Sequence, residues 1–283
     1  MISFGPSAAS AHLQRNASLA AEKQMAPNAH GPQQRAFSPY TDNGGSILAI
    51  AGKDFCVVAG DTRQSEGYNI MTRYKPKVFR LTDKATLATN GFSADADALV
   101  SRIKQRLEMY RHAHGSSMPL ASIARLISTM LYGKRFFPYY VYNILGGLDE
   151  EGKGAVYSFD PVGSYEREFC RAAGAAQSLL QPFLDSQIMF KNQLSTPTRP
   201  LPEPGTMALP DVLRIVMDSF TSATERQIEV GDGLEMFVVR NPAEAASGGA
   251  ASVQLNGAVE ATGGEDDQVE GATLVLRREL KKD

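Results

Sequence analysis

The chain has 283 residues, 43% of them hydrophobic and 21% charged, enough to bury one core of about 200 residues with extensions. A formal net charge of −2 argues against a nucleic-acid partner, which requires a concentrated basic face. No apolar run approaches the roughly 20 residues that span a bilayer, no secretory signal is apparent, and Cys56 and Cys170, far apart in apolar strand-like contexts, suggest buried thiols in a reducing compartment rather than a disulfide framework.

Residues 1–36 are rich in Ala, Ser, Gln and Asn without apolar periodicity, which predicts a flexible leader. Order is expected to begin at Phe37-Ser38-Pro39-Tyr40, where two aromatics flank a proline. The apolar runs Ser46 to Ala51 and Phe55 to Ala59, joined by Gly52-Lys53-Asp54, predict a buried β-hairpin. Its second strand delivers Asp61 and Arg63, and Lys77 stands immediately before another apolar start at Val78-Phe79. A carboxylate and an ammonium at strand ends can tune each other and a nearby hydroxyl. The plainer reading is a turn-capping aspartate and a solvated lysine.

Val78 to Leu81 and Thr86 to Thr89 read as further strands. Ser93 opens a helix with Asp95 and Asp97 near its positive end and an apolar stripe of Leu99, Ile103, Leu107 and Tyr110. A second helix starts near Ser117, carries Leu120, Ile123, Ala124, Ile127 and Leu131, and stops before Phe136-Phe137-Pro138. Tyr139 to Leu148, Gly154 to Asp160 and Ser164 to Arg171 form a predicted meander, and Gly174 to Leu184 a short helix. The proline-rich stretch 194–206 reads as a loop insertion, followed by a helix opened by Pro210 with Leu213, Met217 and Phe220 as its stripe. Leu234 to Arg240 and Ala272 to Arg277 should pair as strands around an acidic, Gly/Ala-rich insertion, 241–270, too polar to order itself. Strand-rich and helical blocks in this order fit an α+β fold, two antiparallel sheets covered by helices on both sides in a four-layer αββα sandwich.

The stretch from Asn43 to Gly91 resembles the start of a proteasome β subunit. In that family a catalytic threonine is followed by Gly/Ala-Asp-x-Arg, by a lysine before a hydrophobic strand, and by a glycine before the first helix. The segments Leu131-Tyr132-Gly133-Lys134-Arg135-Phe136-Phe137-Pro138-Tyr139-Tyr140, Gly152 to Tyr165 and Ser222-Ala223-Thr224-Glu225-Arg226 resemble a non-catalytic member with fungal-like features. The likeness covers residues 37–283 apart from the two insertions. It implies the N-terminal-nucleophile hydrolase type of sandwich.

Carried over position by position, the family's aspartate, arginine, lysine and glycine fall on Asp61, Arg63, Lys77 and Gly91. Its nucleophile lies sixteen residues before the aspartate and thirty-two before the lysine, and both counts end on Gly45. Glycine has no hydroxyl or thiol with which to attack a carbonyl. The family's supporting serine falls at Ala175, and the Asp and Ser that brace the N-terminus fall at Gln227 and Val230. Asp61 and Lys77 are then expected to be a structural ion pair, and the site a vestige without catalytic residues. No self-cleavage is expected at 44–45, so Phe37 to Gly44 should stay attached and pack on a surface.

The resemblance implies a structural subunit of the 20S core, lining the chamber for ubiquitin- and ATP-dependent degradation in cytoplasm and nucleus. Its partners would be β subunits of the same ring and of the facing ring, α-ring subunits and, indirectly, the regulatory particle. The alternative is an active amidohydrolase using Ser46, which strand alternation would aim away from Lys77; Thr62 cannot present a free amine without cutting the fold, and a stand-alone binding module would be monomeric. His112 and His114 lack companions at metal-ligand spacing, and Gly44-Gly45 and Gly146-Gly147 lack the context of phosphate loops. No metal or other cofactor is expected, nor a membrane partner. Of Phe136, Phe137, Tyr139 and Tyr140, about half should serve the core and half an interface.

Overall fold

The apolar runs on either side of Gly52-Lys53-Asp54 form an antiparallel hairpin, β1 (Ser46–Ala51) and β2 (Phe55–Asp61), with Ile47 opposite Gly60 and Ala51 opposite Cys56. All residues of both strands are buried, as continuous apolar runs require when a strand is covered on both faces. The computed structural model describes residues 38–196, 198, 200–240, 268–270 and 273–283. Readings placed on the leader, on Phe37 and on 241–267 lie outside the described residues. Tyr40–Asp283 forms one compact unit.

β3 (Gln64–Glu66) and β4 (Asn69–Thr72) make a small separate hairpin that the sequence reading did not anticipate. β5 (Val78–Thr82), β6 (Ala85–Gly91), β7 (Val141–Leu148), β8 (Gly154–Phe159) and β9 (Tyr165–Glu168) follow one another in a five-stranded antiparallel meander. The expected single strand from Ser164 to Arg171 is two strands. β9 ends the meander, and β10 (Cys170–Gly174) crosses to the other sheet to pair with β1, Ser46 opposite Gly174. The chain leaves one layer at Phe169, whose side chain is exposed.

α1 (Ser93–His114) and α2 (Leu120–Tyr132) cover the meander. Leu99, Ile103 and Leu107 of α1 and Ile123, Ile127 and Leu131 of α2 are buried against Leu87, Val141, Leu145 and Phe159. α2 starts three residues later than the reading from Ser117, with Pro119 at the cap position rather than inside the first turn. α3 (Gln177–Gln187) begins after the expected Gly174, which closes β10 instead. α4 (Leu209–Thr224) carries Pro210 in its first turn, where the missing N–H costs nothing.

β11 (Gly233–Arg240) and β13 (Thr273–Glu279) pair in register from Gly233–Glu279 to Val239–Thr273. Residues Gln268–Glu270, within the stretch expected to be unstructured, form β12 against β13. The six-stranded sheet runs β10-β1-β2-β11-β13-β12. Leu48, Ile50, Val57 and Ala59 pack under α3 and α4, whereas Ile47, Ala49, Cys56 and Val58 meet Val78, Ala88, Ile144 and Val156 of the other sheet. These three apolar interfaces are the interiors of a four-layer αββα sandwich. Alternating side chains along β1 and β2 assign each residue to one of them.

Candidate functional site

Gly45, Asp61 and Lys77 converge because β1, β2 and β5 begin or end at the same edge of the sandwich. Asp61, the last residue of β2, is fully buried, and Lys77 is 7% exposed. The Lys77 Nζ stands 3.1 Å from Asp61 Oδ1 and donates to the carbonyls of Asp61 and Arg63 at 2.9 and 2.5 Å. The Asp61 carboxylate also accepts the backbone N–H of Ser46 at 2.8 Å and of Gly231 at 3.3 Å. Burial pushes the Asp61 carboxyl up and the Lys77 ammonium down, while their mutual attraction and hydrogen bonds oppose both shifts. The solvated lysine of the plainer reading is therefore excluded; the pair is internal and satisfied on both sides.

The ammonium of such a pair could lower the pKa of an adjacent hydroxyl, yet the residue facing it is Gly45. Gly45 has φ +75°, a backbone region that side chains other than glycine's rarely adopt. A Cβ placed there would run into Lys77 Cε, lie 2.6 Å from Lys77 Nζ and 2.9 Å from Asp61 Oδ1. Its nitrogen is an ordinary peptide N–H, donating to Glu229 O at 3.0 Å, and its carbonyl accepts Ala175 N at 2.9 Å. Gly45 brings no side-chain atom to the Lys77–Asp61 pair.

Ser46, next along β1, turns the other way. Its side chain is fully buried, and its Oγ accepts the backbone N–H of Ala176 at 2.7 Å, just ahead of α3. The Thr62 hydroxyl, also buried, donates to Arg73 O at 2.9 Å. Neither thiol offers a nucleophile, since burial pushes Cys56 and Cys170 up to about 12. Gly91, φ +113°, lets β6 run against the Tyr140 carbonyl, which a Cβ would meet at 2.6 Å.

The Arg63 guanidinium is engaged in a network of its own. Its Nε donates to Asp232 Oδ2 at 2.7 Å and its Nη1 to Ile228 O at 2.8 Å, with Arg73 on the other Asp232 oxygen. Burial pushes the Asp232 carboxyl up, but the hydrogen bonds and charges of Arg63 and Arg73 outweigh this and hold it below its usual range. Sequence reasoning missed Asp232. Its signal is an aspartate between two glycines, Gly231-Asp232-Gly233, and its φ of +67° marks the turn there.

The remaining predicted positions gather around Gly45. Gln227 Nε2 donates to Ala175 O at 3.0 Å, and Val230 is buried in the core under α4. His112 and His114 are elsewhere, the first 3.0 Å from Glu108 and the second stacked on Tyr110 at the end of α1. Among the described residues, no three His, Cys, Asp or Glu side chains cluster as metal ligands, and no helix is long and apolar enough to cross a membrane.

A family model described as "Proteasome subunit" matches residues 41–198. The chain is 55% identical over 219 residues to Proteasome subunit beta type-6 of Saccharomyces cerevisiae, covering 74% of this chain and 88% of that one. It is 52% identical over 209 residues to Proteasome subunit beta type-1 of Danio rerio, covering 74% and 86%, and 48% identical over 208 residues to a probable proteasome subunit beta type-6 of Schizosaccharomyces pombe, covering 73% and 92%. By the extent of these matches, the chain belongs to the proteasome β subunit family.

Proposed function

We propose that this chain is a non-catalytic β subunit of the proteasome core, building part of the chamber wall without cutting substrate itself. The observation that supports this most is Gly45, a hydrogen-only side chain facing the buried Lys77–Asp61 pair, with its backbone hydrogen-bonded to Glu229 and Ala175. With no hydroxyl at this position, the retained charges stabilise the strand ends instead of activating an attack. The vestigial residues are Asp61, Arg63, Lys77 and Gly91.

Its work is then contact with β subunits of its own and the facing ring and with α-ring subunits, and indirectly with the regulatory particle, in cytoplasm and nucleus. Phe136, 99% exposed, and Phe137, 59% exposed, suit burial by a neighbour, because aromatics are enriched in the cores of interfaces. The test is to treat the assembled particle with an electrophilic peptide that acylates active-site hydroxyls and to analyse each chain by mass. The expected result is adducts on other β subunits and none on this one; an adduct on this chain overturns the reading.

A further inference from the structure

The residues just ahead of Gly45 do structural work at a distance. α1 opens at Phe92, an aromatic that offers no oxygen to the first N–H groups of the helix, and no side chain of its own cap position supplies one. Helix starts leave such donors unpaired, and they are ordinarily met by Ser, Thr, Asp or Asn at the cap itself. Here the acceptor comes from 50 residues earlier in the chain. Asn43 Oδ1 accepts the Ser93 N–H at 2.8 Å.

Asn43 is fixed in place by its own backbone. Its N–H donates to Gly91 O at 3.2 Å, and its carbonyl accepts Ser65 N at 3.0 Å. Asn90 Nδ2 holds the next carbonyl, that of Gly44, at 2.7 Å. Upstream, Tyr40 donates its hydroxyl to Pro138 O at 2.7 Å, and its ring lies 6.3 Å from Phe92, 5.6 Å from Phe137 and 5.6 Å from Tyr140. The same corner is tied from the other side, where Tyr140 N donates to Asp95 Oδ2 at 2.9 Å and Phe92 N to Tyr140 O at 2.9 Å.

From this geometry we infer that residues 40–45 are a strap that caps α1 in place of a local cap, with Asn43 as the capping residue. Severing the peptide between Gly44 and Gly45 would leave this strap joined to the fold only by the hydrogen bonds and ring contacts of Tyr40, Asn43 and Gly44. This inference is independent of whether the subunit cuts substrate, since it rests on the helix start and not on the Lys77 pair.

The test is amide hydrogen exchange on the full-length chain with Asn43→Ala and Asn43→Asp. Aspartate keeps an acceptor oxygen for Ser93, whereas alanine does not. Asn43→Ala should speed exchange at Ser93 and the two following amides about five-fold, leave the amides of Ile123 to Leu131 in α2 unchanged, and Asn43→Asp should restore protection to within about two-fold. If the alanine chain fails to accumulate, the inference requires the aspartate chain to accumulate normally. Unchanged exchange in Asn43→Ala, or equal loosening or loss in Asn43→Asp, overturns it.

Discussion

Gly45 is confined by two independent constraints, a φ of +75° and the proximity of Lys77 and Asp61. Gly45→Ala is therefore expected to destabilise the chain by about 1–3 kcal/mol, read as a lower denaturation midpoint. Lys77→Met should cost more, about 3–5 kcal/mol, because it strands the buried Asp61 carboxylate. Adding Asp61→Asn should recover part of that loss, since asparagine still accepts the Ser46 N–H; a double variant as unstable as the sum of the singles would show that the two do not act as a pair. Asp232 governs acid stability in a definite direction. Its folded pKa is held below the unfolded value, about 3.9, so its contribution is present above that pH and is lost as the pH falls through the folded value. Asp232→Asn should remove that part of the acid sensitivity, read as a shallower loss of stability as the pH falls below about 4.

β1 begins at Ser46, immediately after Gly45. Alternation along it puts Ser46, bonded to Ala176 N, on the helix-covered side with Leu48 and Ile50, and Ile47 and Ala49 on the side toward the meander. Ser46→Ala should cost about 1–3 kcal/mol by leaving the Ala176 N–H without its acceptor, with no effect on peptide hydrolysis by the particle. The hairpin of β1 and β2, the stripes of α1 and α2 and the pairing of β11 with β13 were legible in the sequence because each repeats one apolar period over at least two turns or strand pairs. The switch at Phe169 was not, since a single bent residue parts the two strands and nothing in local pattern says which sheet an extended segment joins. The β3–β4 hairpin was too short and polar to register. Asp61 and Lys77 were legible as charges at strand ends and Gly45 only through the resemblance to the family, whereas the Asp232 partner of Arg63 lies 169 residues away and only the fold brings the two together.

At the scale of the whole molecule, the four-layer sandwich brings the ends of β1, β2 and β5 to one edge, and the chain ahead of Gly45 packs along it. The strap, the Gly44–Gly45 turn and the carbonyls of Glu229 and Gly45 form one hydrogen-bonded seam. Exposed Tyr132, Phe136 and Phe137 on the α2 side leave apolar surface that assembly would cover. The most direct measurement is mass mapping of this chain taken from the assembled particle. The account predicts one unbroken peptide containing Asn43, Gly44, Gly45 and Ser46; an amino terminus beginning at Gly45 or Ser46 would contradict it.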